Sequence, residues 1–433
     1  MYQSTASDIL DISPDPSHGH PIMDVASARS IEDPAVSGRS RVRTLAAAFA
    51  GFSTFLGLYA SQPLLGHFEH VFAASKAEVA LTVSASTGAV ALCAPLVGLI
   101  ADRTGRRRLI VASLIALAML TALAATAPSL PVLIGWRFAE GVAIAGAYVV
   151  CLAYLAEEVP PSALGGTLGA LVTGNVLGGF AGRVIAGVVT EASSWRAAFV
   201  ALGVIRLAGA LIVWRTLPRS RRFTPRRERG PGVFTLMRAL TRPTLLASYA
   251  VGSCTLFSLV ALFTYAGFYL GGPPFRLGPG ALGALFTVYL FGVIVTPIAG
   301  RWVDSVGSRR VIAWSFSGGA AGVALTLVPS LIAVLAGLAI AACAAFVAQV
   351  ATTSYLRIAA PAPLRSLASG MYVTCYYVGG STAGVLPGLT WQRLGWAGTV
   401  AFAIIAQLAA IVISSRWWRE PATAQPRAIA HPA

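Results

Sequence analysis

Lysine is all but missing from this chain. Of its 32 basic residues only Lys76 is a lysine, and the rest are arginine. A phosphate-gripping loop of the form Gly-x4-Gly-Lys-Ser/Thr needs a lysine at the end of a glycine turn. None is available, so nothing suggests ATP as the energy source. Charge as a whole is scarce, at 11% of 433 residues, where a soluble domain carries about 25%. With 56% apolar residues and a mean hydropathy of +0.73, a soluble globular protein is excluded. The cysteines are few: Cys93, Cys151, Cys254, Cys343 and Cys375. All lie in apolar runs and none forms a CxxC pair, which argues against a disulfide framework or a zinc site. Buried packing is their ordinary role. No cleavable leader is expected either. Residues 1–43 carry Asp8, Asp11, Asp15, Asp24, Glu32 and Asp33 and no apolar stretch of the kind a signal peptide needs. This segment reads as a disordered tail, and the first apolar run is expected to drive insertion.

What the chain has instead is apolar runs of roughly 20 residues, each long enough to cross about 30 Å of hydrocarbon. The first six fall at 44–66, 79–100, 109–127, 131–154, 164–189 and 196–214. Six more fall at 244–269, 280–302, 311–328, 330–355, 366–389 and 397–415. In lipid each segment must satisfy its own backbone, and strand-like alternation is missing, so all twelve are expected to be helices.

The two sets of six repeat. Gly98-Leu-Ile-Ala-Asp102-Arg103-Thr-Gly105-Arg106-Arg107-Arg108 follows the second run, and Gly300-Arg-Trp-Val-Asp304-Ser-Val-Gly307-Ser308-Arg309-Arg310 follows the eighth. Tyr154-Leu155, Trp195 and the set Gly169, Thr173, Gly178, Gly179 recur 201 residues later as Tyr355-Leu356, Trp396 and Gly370, Thr374, Gly379, Gly380. A constant offset across several elements marks a duplicated six-helix unit. Duplicated membrane halves with a site between them are the architecture of secondary transporters.

Arginine placement gives the orientation. With the N-terminus inside, only Lys76, Arg196, Arg276 and Arg393 fall in outer segments, and Arg137, Arg183 and Arg206 fall well inside spans. All the other basic residues are then cytoplasmic, as the positive-inside rule requires, with both termini in the cytoplasm. The expected organisation is a tail (1–43), a first bundle (44–214), a basic cytoplasmic linker (215–243), a second bundle (244–415) and a C-terminal tail (416–433). The arginines of the linker read as a topology anchor or a contact with anionic lipid in preference to a nucleic-acid surface.

Few residues inside the spans carry chemistry. Arg137 and Glu140, spaced i,i+3, share a face of the fourth helix, and Glu140 is the one acid well inside any span. An ionisable residue at that depth is a functional candidate by default; a structural ion pair is the competing reading. Arg183 lies at nearly the same height on the fifth helix, so Arg137, Glu140 and Arg183 are expected to form one charge cluster. Gly174, Gly178 and Gly182 make a small-residue stripe for close helix packing. Arg206, midway along the sixth span, is open to three readings: it snorkels, it pairs with a neighbour, or the span is misplaced. Polar and aromatic residues suited to a midplane site include Tyr59, Gln62, Asn175, Tyr265, Tyr269, Tyr289, Gln349, Tyr376 and Tyr377. An aromatic cavity with little acid suits neutral or anionic organic solutes. His67 and His70 flank Glu69 in the first outer loop; a solvated surface is the simpler reading, and no metal site is expected. No nucleophile–base pair, metal cluster or nucleotide loop indicates an enzyme, and no cofactor is expected.

Along residues 44 to 415 the chain resembles the major facilitator superfamily. Gly98 to Arg108 is similar to its GxLaDrxGrR signature at every key position, whereas Ser305 and Ser308 stand where the second copy would carry arginine. The resemblance implies an all-α membrane fold of twelve transmembrane helices in two pseudo-symmetric six-helix bundles. It implies that Gly98, Asp102, Arg103, Gly105, Arg106 and Arg107, with Gly300, Asp304, Gly307 and Arg309, form a cytoplasmic gate that latches the halves in the outward-open state. It also implies a coupling or binding role for Arg137, as in the family pattern RxxxG. Helices 1, 4, 7 and 10 would face the cavity, which favours Tyr59, Gln62, Tyr148, Tyr265, Tyr269 and Gln349. Tyr59-Ala-Ser61-Gln62-Pro63 resembles the twelve-helix drug:proton antiporter branch with its sugar- and metabolite-efflux members. The fifth-helix signature GxxxGPxxGG departs here, with Gly179 for proline and Arg183 for the final glycine. The expected protein is therefore a monomeric, multi-pass transporter of the cell (inner) membrane. It would export a small organic compound or drug in exchange for protons. The alternatives are an uptake permease or facilitator, and a non-transporting receptor or scaffold.

Overall fold

A computed structural model describes residues 34–218, 240–361 and 364–419, without the side chains of 34–41, 98–100, 102–104, 161–162 and 366. Two units divide at residue 40; of the first, only 34–40 are described, and they are helical. Everything below concerns residue 41 onward, save the bounds of the first helix.

The first half comprises α1 (Pro34–Phe55), the short α2 (Leu65–Phe72), α3 (Lys76–Thr104), α4 (Arg106–Ala124), α5 (Leu130–Glu158), α6 (Pro161–Ala192) and α7 (Trp195–Thr216). The second comprises α8 (Pro243–Gly271), the short α9 (Pro279–Ala284), α10 (Tyr289–Val306), α11 (Ser308–Leu325), α12 (Leu331–Ala359) and α13 (Arg365–Trp417). Nine of the described helical segments are long and apolar enough to cross a membrane. The last of them, Leu367–Trp417, has 51 residues, about 77 Å at 1.5 Å per residue and enough for two passes. It turns at Gly395, whose φ of 54° a side chain would resist. With α1 and α11 the passes number twelve, and the fold is all-α. Leu92, Ile294, Ile332, Leu389 and Ile405 are 63–80% exposed, a cost in water that vanishes against lipid.

Several expected spans change shape. Helix α1 starts at Pro34, inside the segment read as tail; proline suits a first helical turn, and residues 1–33 lie outside the described residues. The span expected over 44–66 breaks at Phe55: Gly57 weakens a helix there, Pro63 lacks the N–H a continuing helix needs, and a 3₁₀ turn over Gln62–Leu64 follows. The span expected over 280–302 divides into α9, a 3₁₀ turn over Leu285–Val288 and α10. Of the expected linker, 219–239 lie outside the described residues.

The duplicated motif is one conformation used twice. Gly105 (φ 87°) ends α3 and opens α4, and Gly307 (φ 88°) does the same between α10 and α11. Only glycine takes this left-handed geometry without strain. The repeat extends to side chains. Tyr154 Oη donates to Pro218 O (2.9 Å), and Tyr355 Oη accepts from Arg419 N (2.9 Å). Both pairs are the same tie, 201 residues apart. The end of the molecule that carries Gly105 and Gly307 is the motif end below; the opposite one is the far end.

Candidate functional site

The deepest charges gather where α1 breaks. Beyond Phe55, Leu58 N–H bonds to Phe55 O and Gln62 N–H to Tyr59 O. These tighter i→i+3 bonds pass over the carbonyls of Thr54 and Leu58, which become acceptors for buried cations. Arg137 Nη2 donates to Leu58 O at 2.6 Å and Arg206 Nη2 to Thr54 O at 3.2 Å. Gly57 makes the room, since a Cβ there would stand 2.6 Å from Arg206 Nη2.

Glu140 sits between the two guanidiniums. Its Oε2 is 2.6 Å from Arg137 Nη1 and 3.2 Å from Arg206 Nη1, and all three side chains are fully buried. Arg137 Nε donates to Thr82 O (3.1 Å), Arg206 Nη1 to Thr121 Oγ1 (2.5 Å), and Ser86 Oγ to Arg137 O (2.9 Å). The cluster thus ties α1, α3, α4, α5 and α7 together. Two cations share one anion, and Glu140 Oε1 has no hydrogen-bond partner. Neutralising Glu140 would leave two buried guanidiniums facing each other, which is costly in a low dielectric.

Arg183 was expected in this cluster and Arg206 takes its place. Height along a helix does not fix direction: the glycine stripe of α6 lies on α1, where a Cβ at Gly174, Gly178 or Gly182 would fall 1.6–2.2 Å from the carbonyls of Ala48, Phe52 and Leu56. That contact turns Arg183 toward the second half. Its Nε donates to Gln62 Oε1 (2.8 Å) and its Nη1 to Gly179 O (2.7 Å). Its guanidinium lies 4.7 Å from the ring centre of Tyr59, 4.5 Å from Phe286 and 5.0 Å from Tyr289. Gln62 Nε2 in turn donates to Thr264 Oγ1 of α8 (3.0 Å). Arg183 is 4% exposed and has no carboxylate within salt-bridge distance among the described residues. Tyr59 comes from the first half and Phe286 and Tyr289 from the second, so both halves contribute rings around this cation.

The other candidates are placed as follows. Tyr148 meets Phe55 edge-on at 5.2 Å, and Asn175 packs beneath Gly51 with its Oδ1 unpartnered. Tyr265 is committed elsewhere: its Oη donates to Gly384 O (2.6 Å) and its ring stacks on Trp391. Tyr269 stacks on Trp396 at 5.0 Å. Gln349 is half-buried on α12. Phe286 and Thr264, which complete the Arg183 site, went unnoticed in the sequence because they carry no charge and no motif.

At the motif end, Gly98, Asp102 and Arg103 have side chains outside the described residues. Arg106 pairs with Glu157 (2.5 Å), and Arg107 Nε donates to Leu217 O (2.6 Å), at the end of α7. These contacts stay within the first half. Asp304 and Arg309 are exposed, and a Cβ at Gly300 would meet open space.

At the far end the halves meet closely. Ser381 Oγ of α13 donates to Ser84 O of α3 (3.0 Å), a Cβ at Gly88 would touch Ser381, and Gly384 and Gly388 have no room for a Cβ. Glu191 Oε2 accepts from Gly280 N (2.7 Å), joining α6 to α9.

Twelve helical passes, a duplicated half, a buried ion triad and a cation held between the halves define a membrane transporter, not an enzyme. The sequence profile of the Major Facilitator Superfamily matches residues 47–287 and 274–433, and the chain belongs to that family. It is 32% identical over 377 residues to the inner membrane transport protein YnfM of Escherichia coli (strain K12), covering 87% of this chain and 90% of that protein. It is 31% identical over 366 residues to YybF, an uncharacterized MFS-type transporter of Bacillus subtilis (strain 168), covering 84% and 90%. Among solved structures, a bacterial homologue of the human lysosomal transporter Spinster, in an inward-facing, unoccupied conformation, superimposes with a TM-score of 0.72 at 17% identity, covering 88% of this chain and 98% of that one.

Proposed function

We propose that the chain is a proton-coupled antiporter of the inner membrane that exports small organic solutes, anionic ones above all. The halves 44–214 and 244–415 would rock about the Arg183 site, with Asp102 and Asp304 gating the cytoplasmic side. The observation that carries the solute class is Arg183. A buried guanidinium with no acid partner among the described residues, resting on rings from both halves, is a ready attractor for an organic anion. Separation of the far end would draw Phe286 and Tyr289 away from it and open the site outward.

Glu140 supports coupling: it is fully buried in the membrane-spanning part, and its free Oε1 is where a proton would attach. Protonation would loosen the hold on Arg206 and Arg137, and through Leu58 and Thr54 the break in α1. The opposite reading, a facilitator in which the triad is purely structural, is favoured by the two arginines that already neutralise Glu140.

The test uses proteoliposomes with a pH-sensitive dye inside and a panel of organic anions, neutral aromatics and cations outside. Proton movement triggered by anions and abolished in Arg183→Ala is the expected result. Anion flux without proton movement would replace the antiporter with a facilitator.

A further inference from the structure

Apart from the Arg183 site, an apolar groove of about 680 Å³ lies on the second half, walled by α10, α11 and α12. Its walls face the bilayer: Phe291 is 57% exposed and Trp314 61%. Along α10 its lining runs from Phe291 to Trp302. Eleven residues of α10 separate them, about 16 Å at 1.5 Å per residue. Half of a hydrocarbon core is about 15 Å thick. The groove therefore runs from the membrane surface at the motif end to about the midplane, the depth of one leaflet.

Its mouth is not apolar. Trp302 and Trp314 stand there, where amphipathic rings settle at headgroup level. Arg310 lies four residues before Trp314 and so over the same face of α11. Arg301 precedes Trp302 and lies about a quarter-turn round α10 from it, at the rim of the groove and not on its wall; both arginines are exposed. By helical rotation Asp304 falls on the opposite side of α10, away from the groove. Helix α11 also begins at Ser308 with no acid in its first turn. The floor is Gly318, where a Cβ would meet nothing within 4 Å.

We propose that this groove is a binding site for one anionic phospholipid, an acyl chain lying along α10 and α11 and the phosphate held by Arg301 and Arg310. Charge at the mouth and length of the groove both fit that occupant. The site is separate from the Arg183 seam and does not depend on what is transported.

The test is native mass spectrometry on the full-length, delipidated protein in detergent, offered phosphatidylglycerol and phosphatidylcholine in competition. The expected result is one retained phosphatidylglycerol per chain, at least tenfold preferred. Gly318→Phe, which fills the floor, should lose it while the thermal midpoint stays unchanged. The Arg301→Ala, Arg310→Ala double variant should keep a lipid but not the preference. Equal retention of the two lipids by the unaltered protein would overturn the proposal. So would undiminished binding in a folded Gly318→Phe, or spectra in which a second copy of the chain displaces the lipid. Should Gly318→Phe fail to fold, the arginine variant decides alone: an unchanged preference refutes the site.

Discussion

Arg206 Nη1 lies 3.2 Å from Glu140 Oε2, the oxygen that Arg137 Nη1 holds at 2.6 Å. The i,i+3 pair on α5 is thus half of an arrangement whose third member comes from α7. Arg206→Leu should destabilise strongly, on the order of 3–5 kcal/mol, because it removes one partner of a buried ion cluster. Thermal midpoints in detergent measure this. Combined with Glu140→Gln, the loss should be smaller than the sum of the single losses; strict additivity would mean that the two residues are uncoupled.

Glu140→Gln also tests the coupling role. If Oε1 takes up the transported proton, the variant should lose the pH dependence of transport while keeping measurable exchange of solute for solute. A variant whose rate falls but whose pH profile keeps its shape would assign Glu140 to structure alone.

Arg183→Lys keeps the charge and loses the geometry. A lysine cannot donate to Gln62 and Gly179 while lying flat on Tyr59, Phe286 and Tyr289. We expect anion transport to fall about tenfold or more, the loss of one good charge-assisted contact, with the rise in KM exceeding the fall in kcat. Unchanged KM for anions would remove Arg183 from the binding site.

The glycines of α6 should separate sharply. At Gly182 a Cβ would stand 1.6 Å from Leu56 O, whereas at Gly169 it would meet nothing within 4 Å. Gly182→Ala should force α1 away from α6 and lower both yield and thermal midpoint. Gly169→Ala should be neutral or stabilising by about 0.5–1 kcal/mol, the usual gain of alanine over glycine within a helix. Equal effects at both positions would contradict the close contact of α1 with α6.

Far-end closure can be trapped. A Cβ at Gly88 would lie 3.7 Å from Ser381 Cβ, so cysteines at the two positions are within disulfide reach. Oxidation of Gly88→Cys, Ser381→Cys, in a background with the native cysteines replaced, should stop transport, and reductant should restore it. Continued transport by the fully crosslinked protein would show that the far end need not open.

Fold and site were readable in the sequence to different degrees. The length of each apolar run and the offset between copies gave twelve passes and two halves, because hydrocarbon thickness and backbone satisfaction leave helices little freedom. Even the paired turns were visible, since Gly105 and Gly307 hold positions where a left-handed residue is required. Breaks in helices were harder to see. Gly57 and Pro63 hinted that α1 stops early, but not that the freed carbonyls of Thr54 and Leu58 would serve two arginines. Tyr265 and Tyr269 looked like cavity residues by helix and type; Gly384 and Trp396 claim them instead.

What the sequence determined by itself is what depends on local chemistry and on the bilayer: an all-helical membrane chain, duplicated, with few charges inside and those few worth watching. What only the tertiary structure decided is which of those charges meet. Arg183 and Arg206 are the same residue type at comparable depth, and nothing in their local sequence tells them apart. The difference arises from helix rotation. Close glycine contact with α1 turns Arg183 to the seam between the halves, and the room left at Gly57 lets Arg206 reach Glu140. Helix rotation is set by packing between segments far apart in the chain, and the sequence of one helix does not contain it.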